Sequence, residues 1–444
     1  MKLSEHPTVI DYQNSKSAGP LPDNPIQTDR LKYIAIESGA DDAGVIDLSR
    51  ECVTEHREDL LNVLPGTESL LIIATQVNQM PLRSLSHSVA DLEFKHAYDK
   101  IKTTLSRITR KLKEIGVKSV AMPSGFPMEM VRWPKKVWLT NEKLFAVEAG
   151  LGMMGYNRLL LHPKFGASVI LGTILIEGEC SEYNKPIDYN PCIECGLCIK
   201  VCPTGAVKKN NDFNFASCYS HNYRERLGGF TNWVEQIVES KNISDYRQRV
   251  TDSESLSMWQ NLSIGSQTRC DRCMAICPAG SEAIGEYLTD KKTFIKKNVN
   301  KFTKHSETIY AVKGSDAEQH VKARFPHKSV KLISNGLRPL SAEMFLESLS
   351  GIFQPNQSEG LDAVFHFSFT GAENLEGTVT IKNKMIEVMD GIQGKSDLHL
   401  TADSETWIKF LTKETSLLKS LITRRIKIKG SPVLMKKFAA CFPG

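Results

Sequence analysis

Eight cysteines between Cys192 and Cys277 constrain this chain more than any other feature. They read Cys192-x2-Cys195-x2-Cys198-x3-Cys202-Pro203, then a lone Cys218, then Cys270-x2-Cys273-x3-Cys277-Pro278. In a run of the first kind, three thiolates close on one [4Fe–4S] cube and the fourth serves a second cube. The second run lacks its opening cysteine, because Gln267 stands where it would fall, and Cys218 is the only cysteine between the runs. The spacing therefore predicts one cluster on Cys192, Cys195, Cys198 and Cys277, and another on Cys202, Cys218, Cys270 and Cys273. Two adjacent clusters make a short electron wire. Zinc is the competing occupant, since two-residue spacings also suit tetrahedral thiolate sites. A zinc ribbon, however, has no use for Cys198 so close after Cys195, nor for a proline after each terminal cysteine.

Disulfides fit less well still. Residues 1–30 are polar and carry no apolar run of signal-peptide type. Arg424-Arg425 lies at the wrong end for a twin-arginine signal, and no stretch approaches the roughly 20 apolar residues that span a bilayer. A reducing, cytoplasmic location with no membrane span is expected, and Cys52, Cys180 and Cys441 read as ordinary partly buried thiols. At 444 residues the chain should hold two or three domains. Its net charge of +5 is too thinly spread to mark a nucleic-acid binder. The local exception is Lys291-Lys292-Thr293-Phe294-Ile295-Lys296-Lys297, followed by Lys301 and Lys304, which is either a solvated helix face or a docking face for an acidic electron donor.

Ahead of the cysteines the text alternates helix and strand. Residues 70–75 and 167–176 are apolar runs of buried-strand type, and residues 119–122 are a shorter candidate. Residues 91–115 carry Leu92, Phe94, Ile101, Leu105, Ile108 and Leu112 near helical spacing, with Gly116 as the stop. A second helix runs from an Asn141 cap to Ala149, with Glu142 in its first turn. Then comes Gly150-Leu-Gly-Met-Met-Gly-Tyr-Asn157. Its glycines fit a dinucleotide fingerprint by spacing, but that motif follows a strand and opens a helix, and here the order is reversed. Glycine here allows close approach of backbone to something flat or bulky, or simply a tight helix-to-strand connection.

The segment from Phe145 through this turn to His162-Pro-Lys-Phe-Gly166 resembles the core signature of the epoxyqueuosine reductase and reductive dehalogenase-like proteins. In that group an AGLGWIGKN-like turn precedes a Leu-rich strand, a Pro-x-[YF]-Gly step and a two-cluster cysteine pattern. The resemblance covers roughly residues 30–285. It implies a nitroreductase-like α/β domain that binds cobalamin, fed with electrons by a ferredoxin-like domain. Gly150, Gly152, Gly155 and Asn157 would then line the corrinoid side, with Tyr98 and Lys100 matching part of the family's Asp-Tyr-His-Lys element. Two departures affect the chemistry. Asp99 replaces the histidine of that element, and Tyr156 replaces the lysine of the glycine turn. The stretch 134–141, where the family carries an aspartate proton donor, has no carboxylate. Tyr156 is thus the first candidate acid, since a phenol beside a metal centre can donate a proton. Asp99 and Glu142 are the further candidates. No Asp-x-His-x-x-Gly cobalt-ligand motif is present, so a corrinoid would be held without a protein histidine on cobalt.

From Ala363 the pattern turns to alternation: Phe365, Phe367 and Phe369 share one strand face, followed by Val379 with Ile381, Leu398 with Leu400, and Ile426 with Ile428. Asp403 caps a helix bearing Trp407, Phe410 and Leu411, and Pro432 opens a last short helix. The run from Asp397 to Trp407, with Ile426-Lys-Ile-Lys-Gly-Ser-Pro432, resembles a sterol-carrier-protein domain. That resemblance implies a mixed sheet and helices around an apolar tunnel, hence a small or hydrophobic organic ligand. Closing a homodimer or covering the cofactor cavity is the alternative use.

The expected fold class is α/β: a nitroreductase-like corrinoid-type domain, a two-cluster ferredoxin-like domain and a C-terminal α+β sterol-carrier-like domain. Boundaries are a flexible segment over 1–29, then 30–185, 186–304 with an insertion at 219–266, a linking wrap over 305–335, and 336–444. The expected function is an iron–sulfur oxidoreductase passing electrons from a low-potential donor, such as a ferredoxin or flavodoxin, through two [4Fe–4S] clusters to cobalamin for reduction of an organic substrate. The competing function is a corrinoid-free electron carrier or redox sensor. Transfer RNA is not expected as substrate, because basic patches with interleaved aromatics are not evident.

Overall fold

The computed structural model describes residues 2–15, 25–132, 137–209, 213–224, 226–265 and 268–444. Gln267 and residues 134–136 of the stretch discussed above lie outside them. The strand signals at 70–75, 119–122 and 167–176 become Thr67–Gln76, Ser119–Ala121 and Val169–Glu177. With Asp42–Asp47 they form a four-stranded sheet whose neighbouring pairs all run antiparallel. Leu70 through Ala74 are fully buried, as a sheet covered on both faces requires. The long helix His87–Glu114 covers one face, burying Phe94, Ile101, Leu105, Ile108 and Leu112. Leu92, which the helical pattern put in the core, is 52% exposed. The shorter helix Glu142–Glu148 lies on the other face, where Phe145 and Ala146 join the core. Asn141 caps it, its Oδ1 accepting from the Leu144 N–H at 3.4 Å.

The cysteine-bearing segment is built from short helices. Leu197–Val201 follows the first two cysteines and carries Cys198, Phe215–Asn222 carries Cys218, and Arg272–Ala275 carries Cys273. The insertion is helical, with Gly228–Glu239, Ile243–Arg249 and Asp252–Ile264. The stretch expected as a wrap forms a small parallel unit that packs on the cysteine-bearing segment, with Tyr310 against His221 and Glu307 paired with Arg272. Strands Thr308–Val312 and Ser329–Ile333 pair in parallel, and the helix Asp316–Arg324 crosses between them, capped by Ser315. A parallel pair needs such a crossover, which a sequence reading of turns does not reveal.

The C-terminal sheet has five strands in the order Met385–Asp390, Leu375–Lys382, Ala363–Thr370, Leu398–Asp403, Ile426–Gly430, and only the Ala363–Thr370 and Leu398–Asp403 pair is parallel. It is the mixed sheet expected. Its interior, where a tunnel was expected, holds the chain's own rings. Phe345, Phe365, Phe367, Phe369, Trp407 and Phe438 are all buried. Phe345 meets Trp407 at 5.2 Å between ring centroids, and Phe365 meets Phe438 at 4.7 Å. These edge and tilted contacts are the packing of a core.

Candidate functional site

The eight cysteines gather into two neighbouring sets. Cys192, Cys195, Cys198 and Cys277 line one recess, together with Tyr156, Asn157, Gly196 and Pro278. Cys202, Cys218, Cys270 and Cys273 lie within electrostatic reach of one another, and Cys273 also feels Cys198 across the gap between sets. Burial, the leading cause, raises the thiols of Cys198, Cys270 and Cys277 to about 12 and drives Cys218 and Cys273 up as well. Such thiolates are costly unless cations neutralise them, and iron supplies that charge. The thiols surround space rather than converge on a point. Among the described residues no three of His, Cys, Asp or Glu are close enough to hold a single metal ion.

The α/β unit grips the second cysteine run directly. Gln79 Nε2 donates to the carbonyls of Met274 and Cys277 at 3.1 and 2.9 Å, and Arg83 Nε donates to Ala275 O at 3.1 Å. Asn157 Nδ2 donates to Cys273 O at 3.3 Å. Gly166, with φ of 59°, lies so close to the Ala279 carbonyl that any Cβ would overlap it. The Pro-x-Phe-Gly step is therefore a packing device that lets this backbone touch the second run. Sequence reading missed Gln79 and Arg83, which carry no motif.

The glycine turn is explained by its own neighbours. A Cβ on Gly150 would meet Lys185 O at 2.6 Å, one on Gly152 would overlap Leu161 O, and one on Gly155 would meet Leu161 Cδ1 at 2.6 Å. Those close approaches account for glycine at the three positions by packing within the chain alone. Tyr156 sits at the first thiol recess, its phenol raised by slight burial and by a hydrogen bond with Glu194. Asp99 and Lys100 point away: Lys95 Nζ donates to Asp99 at 2.8 Å, and Lys100 Nζ donates to Asp41 at 2.6 Å.

Tyr98 alone of that element faces inward. Its ring lies 3.7 Å from the Cβ direction of Gly125, and burial, reinforced by Glu142 and Tyr223, pushes its phenol to about 12. Glu142 beside it is the most perturbed carboxyl of the group. Desolvation raises it to about 8, against the opposing pull of Lys143 and a hydrogen bond from Ser124. Its Oε1 is shut from solvent and has no hydrogen-bond partner. Arg226 lies over the rings of Phe126 and Tyr223, at 5.2 and 5.4 Å. Lys143 completes the group, its Nζ donating to Arg158 O at 2.9 Å within electrostatic reach of Cys218 and Cys273. A carboxyl raised to about 8 thus stands beside an aromatic face, and Lys143 links this group to the second thiol set.

Comparison with known proteins agrees with this anatomy. The 4Fe-4S binding domain family matches residues 185–208, and the SCP-2 sterol transfer family matches residues 349–443. An epoxyqueuosine reductase of Cyclobacterium marinum is 28% identical over 196 residues, covering 40% of this chain and 58% of that protein. One from Francisella cf. novicida is 24% identical over 252 residues, covering 54% and 60%. This chain thus spans less than two thirds of the length of these relatives. A solved epoxyqueuosine reductase with an epoxyqueuosine-modified tRNA stem loop is 16% identical, covers 73% of this chain and 80% of its own, and superposes with a TM-score of 0.37. No helix among the described residues is long and apolar enough to cross a membrane. The chain is thus similar to epoxyqueuosine reductases over about half of its length and matches the SCP-2 sterol transfer family over residues 349–443.

Proposed function

We propose that this protein is an iron–sulfur reductase that takes electrons in at the first thiol set and delivers them, through the second, to a reduction site bounded by Tyr98, Glu142, Tyr223 and Arg226. The observation that carries this reading is the carboxyl of Glu142. A carboxyl held at about 8 is mostly an acid at neutral pH, and the next residue, Lys143, lies within electrostatic reach of Cys218 and Cys273 in the thiol set from which electrons would arrive. Reduction of an organic group needs electrons and a proton at one place, and these residues supply both.

In this reading Cys192, Cys195, Cys198 and Cys277 hold one [4Fe–4S] cluster and Cys202, Cys218, Cys270 and Cys273 the other. The donor set fits: all ligands are thiols, most are desolvated, and the first four border a recess instead of a point. The corrinoid that the family resemblance implies would be held by the faces of Tyr98, Phe126 and Tyr223, with the unpartnered Glu142 Oε1 free for its amide-bearing edge or for substrate. When bound, that cofactor supplies a metal centre of low potential close to the substrate. Glu142 holds the proton at its carboxyl, Tyr98 limits access of water to it, and Arg226 offers positive charge to an electron-rich substrate.

Metal analysis and electron paramagnetic resonance test this on protein purified anaerobically from cells supplied with cobalamin. About eight irons and one cobalt per chain, with a Co(II) signal lacking a protein nitrogen ligand, are expected. Irons without cobalt, even after incubation with cobalamin, would favour a corrinoid-free electron carrier. No iron at all would overturn the reading.

A further inference from the structure

The lysine-rich stretch beside the first thiol set sorts its side chains into a buried apolar side and an exposed basic side. Residues 291–304 contain six lysines and no acid. They form one continuous helical rod, Lys291–Phe294, Ile295–Val299 and Asn300–Lys304, and its middle turn is a π-helix. In an α-helix, residues five apart are turned about 140° from each other. A π-turn, closed by i→i+5 bonds, brings such residues back toward one face. Here Lys291, Lys296 and Lys301 recur at five, as do Lys292 with Lys297 and Phe294 with Val299. Phe294, Val299 and Phe302 are buried, while Lys291, Lys292, Lys296, Lys297 and Lys304 are exposed. The π-turn thus helps to gather the apolar residues inward and the ammonium groups outward, at the cost of one irregular turn.

The buried side of this rod belongs to the same core as the first set, since Phe294, Val299 and Phe302 cluster with Cys192, Cys195, Cys198 and Cys277. Lys291 lies within electrostatic reach of Cys195. The adjoining acids are occupied: Glu286 pairs with Arg83 at 2.6 Å, and Asp290 accepts from the Thr293 N–H at 2.9 Å. The loop that carries Cys195, the thiol within reach of Lys291, exposes Ile193 to 47% and, ahead of Cys192, Tyr189 to 54%. An apolar spot next to an electron port, flanked by fixed positive charge, suits a brief encounter with a negatively charged protein.

We infer that the Lys291–Lys304 face is the docking surface for an acidic protein electron donor, which reduces the chain through the first thiol set. The inference rests on the proposed cluster at that set and adds its partner. Such an interface is small and weak, and its lysines act on the association rate more than on affinity.

The test is anaerobic stopped-flow reduction of the reconstituted full chain by a reduced acidic plant-type ferredoxin, with photoreduced deazaflavin as an uncharged control. The second-order rate with ferredoxin should fall about tenfold or more between low and physiological salt. The double variant Lys296→Glu, Lys297→Glu should lose at least as much at low salt while keeping its iron content and its reduction by deazaflavin. Lys292→Gln with Lys304→Gln, a milder pair, should give an intermediate loss. Full iron with a ferredoxin rate indifferent to salt and to both variants would overturn the docking face alone. A chain that reconstitutes no iron would overturn the cluster reading and this inference with it. Variants that weaken binding of a tRNA stem loop and leave ferredoxin reduction intact would assign the face to nucleic acid and refute the inference.

Discussion

Replacing Glu142 with glutamine is the perturbation that most directly probes the proposed reduction site. Burial is the leading cause that holds this carboxyl at about 8 instead of 4.5. At pH 7 about ten molecules then carry the proton for each that has lost it. The folded state keeps a proton that the unfolded chain releases near its ordinary value. Stability from this group is therefore complete below about pH 4.5 and declines as pH rises toward about 8. The gap between the two values, at about 1.4 kcal/mol for each pH unit, is on the order of 5 kcal/mol, of which about 3 kcal/mol is already lost at pH 7. Glu142→Gln keeps the shape and cannot ionise, so its stability should be nearly flat over the same interval and should exceed that of the parent at pH 9. Denaturant unfolding of the anaerobic protein at pH 5, 7 and 9 measures this directly. Infrared difference spectra between parent and variant follow the carboxylic C=O band independently. Turnover, once a substrate is found, should fall about tenfold per pH unit above 8 in the parent, and by about a hundredfold or more in the variant at pH 7. A C=O band already lost by pH 6, or parallel loss of stability in the two proteins, would refute the assignment of Glu142 as the acid.

Three further outcomes follow from the same geometry. Cys218→Ala should remove about half of the iron, because Cys218 stands with Cys202, Cys270 and Cys273 and apart from the recess of the first set; loss of all the iron or none would break the pairing. Tyr156→Phe should leave the pH dependence of turnover unchanged, since its phenol meets Glu194 at the first recess and not the group around Glu142, and a shifted profile would return the acid role to it. Trp407→Ala should destabilise the C-terminal domain by about 3–5 kcal/mol, read from its unfolding transition, without lowering iron content, as its ring is 2% exposed and wedged against Phe345 and Phe410. An unfolding transition unmoved by the loss of this ring would refute the packed-core reading.

The sequence made legible what depends on local pattern. The long helix, the buried strands and the caps at Asn141 and Asp403 all follow from periodicity and hydrogen-bonding side chains at helix starts. The two cysteine sets were legible because ligand spacing is a local rule supplemented by one elimination. The strand Met385–Asp390 was not, because it lies at the sheet edge with no buried residue and so leaves no alternation of core type to read. The crossover unit over 308–333 was likewise hidden, since parallel pairing joins residues too far apart for any turn signal.

Side-chain direction is what the text of the site does not carry, and helix geometry explains why. Tyr98, Asp99 and Lys100 stand together in the text, yet consecutive residues of a continuous helix are turned about 100° from one another. One of the three can face the site; here Tyr98 does, while Asp99 and Lys100 pair with Lys95 and Asp41 elsewhere on the helix surface. Glu142 was underrated for the converse reason. An acid in the first turn of a helix looks like an ordinary favourable contact with the helix dipole. Whether that acid meets water or a desolvated wall depends on Tyr98, Ser124 and Tyr223, which arrive from three other parts of the chain. A carboxyl becomes an acid at neutral pH through its surroundings, and those surroundings exist only once the chain has folded.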